Sequence, residues 1–106
     1  MKKILIFIFS VYTTSLISQD YYIYVAAESE DEVSLIKFDG TQAYEKEKIQ
    51  VGIMKTEIEG PHGITVDPNG EYWYLSLAHG NPYGSLVKYS TESNKPISKT
   101  KLGLLS

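Results

Sequence analysis

The sequence predicts an all-β chain folded into antiparallel four-stranded units, the first of them incomplete. Three observations predict it. Short runs rich in aromatic and β-branched residues alternate with turns containing Gly, Pro, Asn and Asp. One turn tetrad, Asp67-Pro68-Asn69-Gly70, stands between two such runs. Similar strand-like runs then recur at a spacing of 50 or 51 residues.

The chain has 106 residues, no cysteine and a formal charge of −3. Met1-Lys2-Lys3 followed by the apolar run 4–11 has the basic start and apolar centre of a signal peptide, read as residues 1–18. Cleavage after Ser18 starts the mature chain at Gln19 or Asp20. A permanent anchor is the competing reading, because 12–17 prolongs the apolar character, but Thr13, Thr14 and Ser15 interrupt a full span. The expected location is periplasmic or secreted, with no stable membrane insertion after cleavage. Losing Lys2 and Lys3 leaves 8 basic against 13 acidic residues, a charge of −5. That balance argues against nucleic acid or an anionic membrane as partner. Without cysteine there is neither a disulfide nor a lipid anchor. Residues 19–106 lie at the low end for one domain, where a core needs help.

From Asp20 the first strand is 21–27, an unbroken run rich in Tyr, Ile and Val. Glu28, Glu30, Asp31 and Glu32 form an acidic turn, and 33–39 is a second strand closed by Gly40. The charged segment 41–48, whose charges alternate in sign and could be mistaken for a helical turn, is followed by a short outer strand at 49–52. After the linker 53–60, residues 62–66 alternate toward a buried side through Ile64 and Val66. The tetrad 67–70 then reverses the chain, Pro68 supplying φ near −65° and Asn69-Gly70 positive φ. Residues 72–77 read as a strand buried on both faces. The turn 81–84 leads to a strand at 85–89, and a polar loop at 90–96 precedes a last strand at 97–102.

These strands recur. Leu35 and Leu86 stand 51 residues apart within matching Ser-Leu-aliphatic-Lys-aromatic runs, as do Gly52 and Gly103 within matching strand ends. Tyr22-Ile23-Tyr24-Val25 matches Tyr72-Trp73-Tyr74-Leu75 at an offset of 50. A four-stranded antiparallel unit at this period is the blade of a β-propeller. The run Val66-Asp67-Pro68-Asn69-Gly70, the strand Tyr72-Trp73-Tyr74-Leu75-Ser76 and the segment Ile49-Gln50-Val51-Gly52 together resemble the YVTN-type β-propeller repeat of extracytoplasmic, YncE-like proteins. The resemblance covers nearly all of the chain after Gln19, and it implies a fold more than a function. Propellers close with roughly four to eight blades. Here residues 19–52 make a first blade lacking its innermost strand, and 61–106 make a second. The expectation is therefore the N-terminal fragment of a longer protein.

Two histidines are the candidate metal ligands. In a blade of the usual winding, His62 opens the innermost strand and His79 leaves the second, so both imidazoles reach one face. Two imidazoles can begin a copper or other transition-metal site. The Pro61-His62-Gly63 element is similar to a histidine-bearing motif in the propeller domain of nitrous oxide reductase, which implies copper as cofactor and a redox role. The plainer reading is loop packing, each ring bonding a neighbouring backbone turn. Tyr72, Trp73 and Tyr74 form either a stacking shelf for a ligand or sheet packing, with packing favoured. The acidic turn lacks the spaced loop of a calcium site and reads as a solvated turn. No nucleophile elbow or phosphate loop occurs, and neither Ser76 nor Ser85 has a base at a defensible spacing. No catalytic residue is assigned. The expected function is an exported module that binds a protein or small-molecule ligand, or scaffolds, through its loop face; a copper-dependent redox propeller is the alternative.

Overall fold

A computed structural model describes residues 19–52, 59–79 and 83–104. Residues 1–18, read from the sequence as a signal peptide, residues 53–58 of the expected linker and the first half of the expected turn at 81–84 lie outside the described residues. The described residues form seven strands: β1 (Tyr21–Ala27), β2 (Glu32–Phe38), β3 (Ala43–Gln50), β4 (Pro61–Val66), β5 (Tyr72–Leu77), β6 (Tyr83–Ser90) and β7 (Pro96–Leu104). They form two antiparallel sheets with strands in chain order, β1-β2-β3 and β4-β5-β6-β7. The fold is all-β with a short first sheet and a four-stranded second one.

Local chemistry accounts for most of these strands. β5 alternates strictly, with Trp73, Leu75 and Leu77 buried and Tyr72, Tyr74 and Ser76 half-buried. Its sequence therefore fills one face completely rather than two; on the half-buried face the Lys88 ammonium of β6 lies 4.0 Å from the Tyr72 ring centre. The turn between β4 and β5 uses positive φ only at Gly70, +72°. Asp67 caps it: its carbonyl accepts the Gly70 amide and its carboxylate accepts the Glu71 amide, both at 3.0 Å. Ile64 packs on the core while Val66 stays exposed at the open end of the strand.

β3 is a difference from the sequence reading. The charged segment 41–48, to which the sequence reading assigns no strand, belongs with the expected outer strand at 49–52 to one eight-residue strand, Ala43–Gln50. All of it is exposed except Ile49. A strand with water on both sides needs no apolar alternation, and its backbone is satisfied by the ladder to β2, from Phe38↔Ala43 to Glu32↔Gln50. Charges along such an outer strand also discourage further pairing.

The core lies between the sheets. Val33, Leu35, Ile49 and Val51 from the first meet Trp73, Leu75, Leu77, Val87 and Tyr89 from the second, with Tyr24, Ala26 and Ile64 packed against them. Trp73 is the centre, its ring stacked on Tyr89 at 4.0 Å and on Tyr24 at 4.6 Å. Asn94 seals the stack, since its Oδ1 accepts both the Tyr24 hydroxyl (2.7 Å) and Trp73 Nε1–H (3.1 Å). Its own φ of +54° is a conformation that Asn tolerates better than most residues. Packing rather than ligand stacking is thus the role of Trp73.

The matching runs do not pair in the same register. Tyr24 faces Leu35 across β1 and β2, whereas Leu86 faces Ser76, and Tyr74 faces Lys88. The second hairpin is slipped by two residues relative to the sequence match. An even slip keeps every side chain on its original side, so it costs the burial pattern nothing.

Candidate functional site

At the end of the stack where β1 stops, β4 starts and β5 stops, three side chains converge. Glu28 opens a 3₁₀ turn that follows β1. His62 is the second residue of β4, and His79 stands two residues beyond β5. His79 Nε2 lies 2.9 Å from Glu28 Oε1, and His62 Nε2 lies 3.5 Å from the same oxygen. The two imidazole centroids are 6.2 Å apart at 70°. Each side chain is about half exposed: 58% for His62 and 52% for both His79 and Glu28.

Each ligand has a local cause. β4 pairs with β5 as Pro61↔Leu77 and then Ile64↔Leu75, so one extra residue bulges out at His62-Gly63. Bulges re-aim a side chain. Gly63 suits this spot because its amide donates to Ser76 Oγ at 2.8 Å, where an added Cβ would crowd that oxygen at 3.0 Å. His79 is held by its backbone: its amide donates to Glu59 O and that of Ala78 to Gly60 O, both at 2.9 Å. Gly60 has φ +65°, and a Cβ there would clash with His79 Cδ2. The imidazole therefore lies directly over a backbone that only glycine leaves clear.

Glu28 is positioned through Asp31. Asp31 is buried, has φ +51° and ends the same turn. Its carboxylate accepts the amides of Glu59 (2.8 and 3.0 Å) and Gly60 (2.8 Å), and its carbonyl accepts the amide of Val51 at 3.0 Å. This corrects the reading of the acidic turn as merely solvated. Glu28 and Glu30 are exposed, but Asp31 ties the first sheet to the segment that carries His62 and His79. Glu32, half-buried, bonds Gln50 at 2.6 Å across the sheet.

The structure thus brings both sequence-predicted histidines to one place, and adds Glu28, which sequence reasoning placed elsewhere. A signal existed: Glu28 precedes His79 by 51 residues, the spacing that separates Leu35 from Leu86. The three ligand atoms lie within 4.8 Å of one another. Two imidazoles and a carboxylate can share a proton, bind an anion when protonated, or ligate a metal ion when not.

A separate apolar groove of about 410 Å³ lies away from the histidines, between β3 and β7, where Val51, Leu77, Val87, Tyr89 and Ile97 line it. Ser76 is engaged by the Gly63 amide, and Ser85 is buried in β6 opposite Leu77. Searches against protein-family models, curated proteins and solved structures find no match to this chain.

Proposed function

We propose that the chain is an exported β-propeller repeat module of the YVTN, YncE-like kind, binding a protein or small-molecule ligand at the loop face that carries Glu28, His62 and His79. The supporting observation is the way the two sheets stack. Leu35 of the first sheet is buried against the second, whereas Leu86, which holds the same place in the matching run, is 37% exposed on the far side of the second sheet. The first sheet in turn leaves Ile23 and Val25, each 47% exposed, on its own far side. Their places in the matching run are taken by Trp73 and Leu75, which are buried. Each unit thus offers one side forward and the other side back. A head-to-tail stack of this sort is how successive blades pack. The acidic balance that cleavage of residues 1–18 would leave agrees with a partner other than nucleic acid.

The test is to read the source DNA past the codon for Ser106 and to solve the structure of the exported gene product. Further units of about fifty residues closing a ring around this loop face support the reading, as does a mature chain beginning at Gln19 or Asp20. Unrelated sequence after a stop codon, with a monomer that leaves both far sides bare, overturns it.

A second reading, a copper-dependent redox propeller, is favoured by the meeting of His62 and His79 at one carboxylate. A multicopper centre needs more imidazoles than the two this chain has, so other segments would supply them. Loss of tight Cu²⁺ binding in His62→Ala, together with copper-dependent electron transfer in the complete protein, would support it; an unchanged Cu²⁺ affinity would sink it.

A further inference from the structure

We infer that Glu28, His62 and His79 form a binding site for a divalent zinc-class cation, pinning the first sheet to the second and leaving a coordination position open to solvent. The inference rests on the contact between the two sheets and stands whether or not the sheets are propeller blades.

The donor set comes first. Two imidazole nitrogens and one carboxylate oxygen are a common three-residue zinc set, with a fourth position free for water or an incoming ligand. Calcium and magnesium prefer all-oxygen shells, so the two nitrogens select a borderline transition metal. Geometry follows. Ligands about 2.1 Å from a tetrahedral ion stand roughly 3.4 Å from each other. His62 Nε2 is 3.5 Å from Glu28 Oε1, already at that separation. His79 Nε2 is at 2.9 Å, a hydrogen bond that must open by about half an ångström as the ion replaces the shared proton. The three ligand atoms all lie within 4.8 Å of one another, so rotation of exposed side chains suffices to close the set.

Preorganisation separates this cluster from a chance meeting of surface groups. Three features hold it: the bulge at His62-Gly63, the bare φ +65° backbone of Gly60 beneath His79, and the Asp31 carboxylate that ties the Glu28 turn to that same Gly60. The ligands come from both sheets, so an ion here binds the stacked form and not the separated one. Binding must therefore raise stability as free metal rises above its dissociation constant. The open position faces solvent at the loop face, where a carboxylate or imidazole from a bound partner could complete the shell.

The test uses the full chain, stripped with a chelator and titrated with Zn²⁺ alone by calorimetry, and with Co²⁺ by visible absorption. The expected result is one saturable site per chain, a thermal midpoint that rises with Zn²⁺, and cobalt bands of four- or five-coordinate character. Glu28→Gln, His62→Ala and His79→Ala should each weaken binding by at least about tenfold. Glu30→Gln, in the same turn, should leave it unchanged. Near-UV dichroism of Trp73 checks that each variant is folded. Absence of saturable Zn²⁺ binding in the folded wild-type chain overturns the inference, as does binding that survives unchanged in a folded His62→Ala/His79→Ala double variant.

Discussion

The carboxylate of Asp31 accepts the amide hydrogen of Gly60 at 2.8 Å, although 29 residues of chain separate them. The same carboxylate takes the Glu59 amide, so one side chain satisfies two consecutive donors at the start of the second sheet. Asp31→Ala leaves both donors without this acceptor and should destabilise the chain by about 2–3 kcal/mol. Asp31→Asn keeps an acceptor and the tolerance for φ +51°, and should lose about half as much. Urea midpoints of the two variants check the order; equal losses would show that charge, not hydrogen bonding, holds the contact.

Gly60→Ala tests the floor beneath His79. The substitution adds roughly 1–2 kcal/mol of left-handed backbone strain and drives a methyl into His79 Cδ2. The imidazole must swing away from Glu28. The expected outcome is a lower thermal midpoint together with a shift of the His79 ring resonances in NMR, while those of His62 move less.

Trp73→Ala should cost about 3–5 kcal/mol, because it empties the centre of the core and leaves Tyr24 and Tyr89 without the ring between them. Trp73→Phe retains a stack but removes the Nε1–H bond to Asn94, and should cost clearly less. Chemical denaturation measures both. Trp73 is the only tryptophan, so its fluorescence in the native chain should be that of a fully buried indole and should shift to the red in a single step on unfolding.

Tyr24 and Tyr89 should ionise late in alkali. Burial, then the Glu47 charge, raises the Tyr24 phenol above its ordinary value of 10.0. Burial, then Glu59, does the same for Tyr89. A phenol whose folded value is raised keeps its full contribution below pH 10 and loses it as pH climbs from there through the folded value, since the unfolded chain releases that proton first. Stability should therefore decline above about pH 10, and Tyr24→Phe should flatten that decline. Urea midpoints across the alkaline range, paired with phenolate absorbance, check the sign; a stability that rises with pH there would contradict it.

Strand positions were legible where side-chain chemistry is local. β1 and β5 coincide with the aromatic runs read from the sequence, and β2 begins one residue early and ends one early. Asp67-Pro68-Asn69-Gly70 announced its own turn, because Pro, Asn and Gly restrict or permit φ within the tetrad itself. β3 was not legible: Glu45, Lys46, Glu47 and Lys48 carry no apolar signal, and that segment is a strand because β2 offers it a ladder. The two-residue slip between the hairpins was equally hidden, since an even slip leaves no trace in the pattern of buried residues.

The sequence alone determined that this chain is β, where its tight turns lie and that His62 and His79 belong at one end of a sheet, because these follow from alternation, φ preference and strand direction. The tertiary structure decided that Glu28, which the 51-residue offset from His79 only hints at, joins them and that Asp31 is buried rather than solvated. Both depend on which sheet faces are pressed together, and that choice is made by Trp73, Tyr24 and Leu35 packing across a gap that no stretch of neighbouring residues can encode.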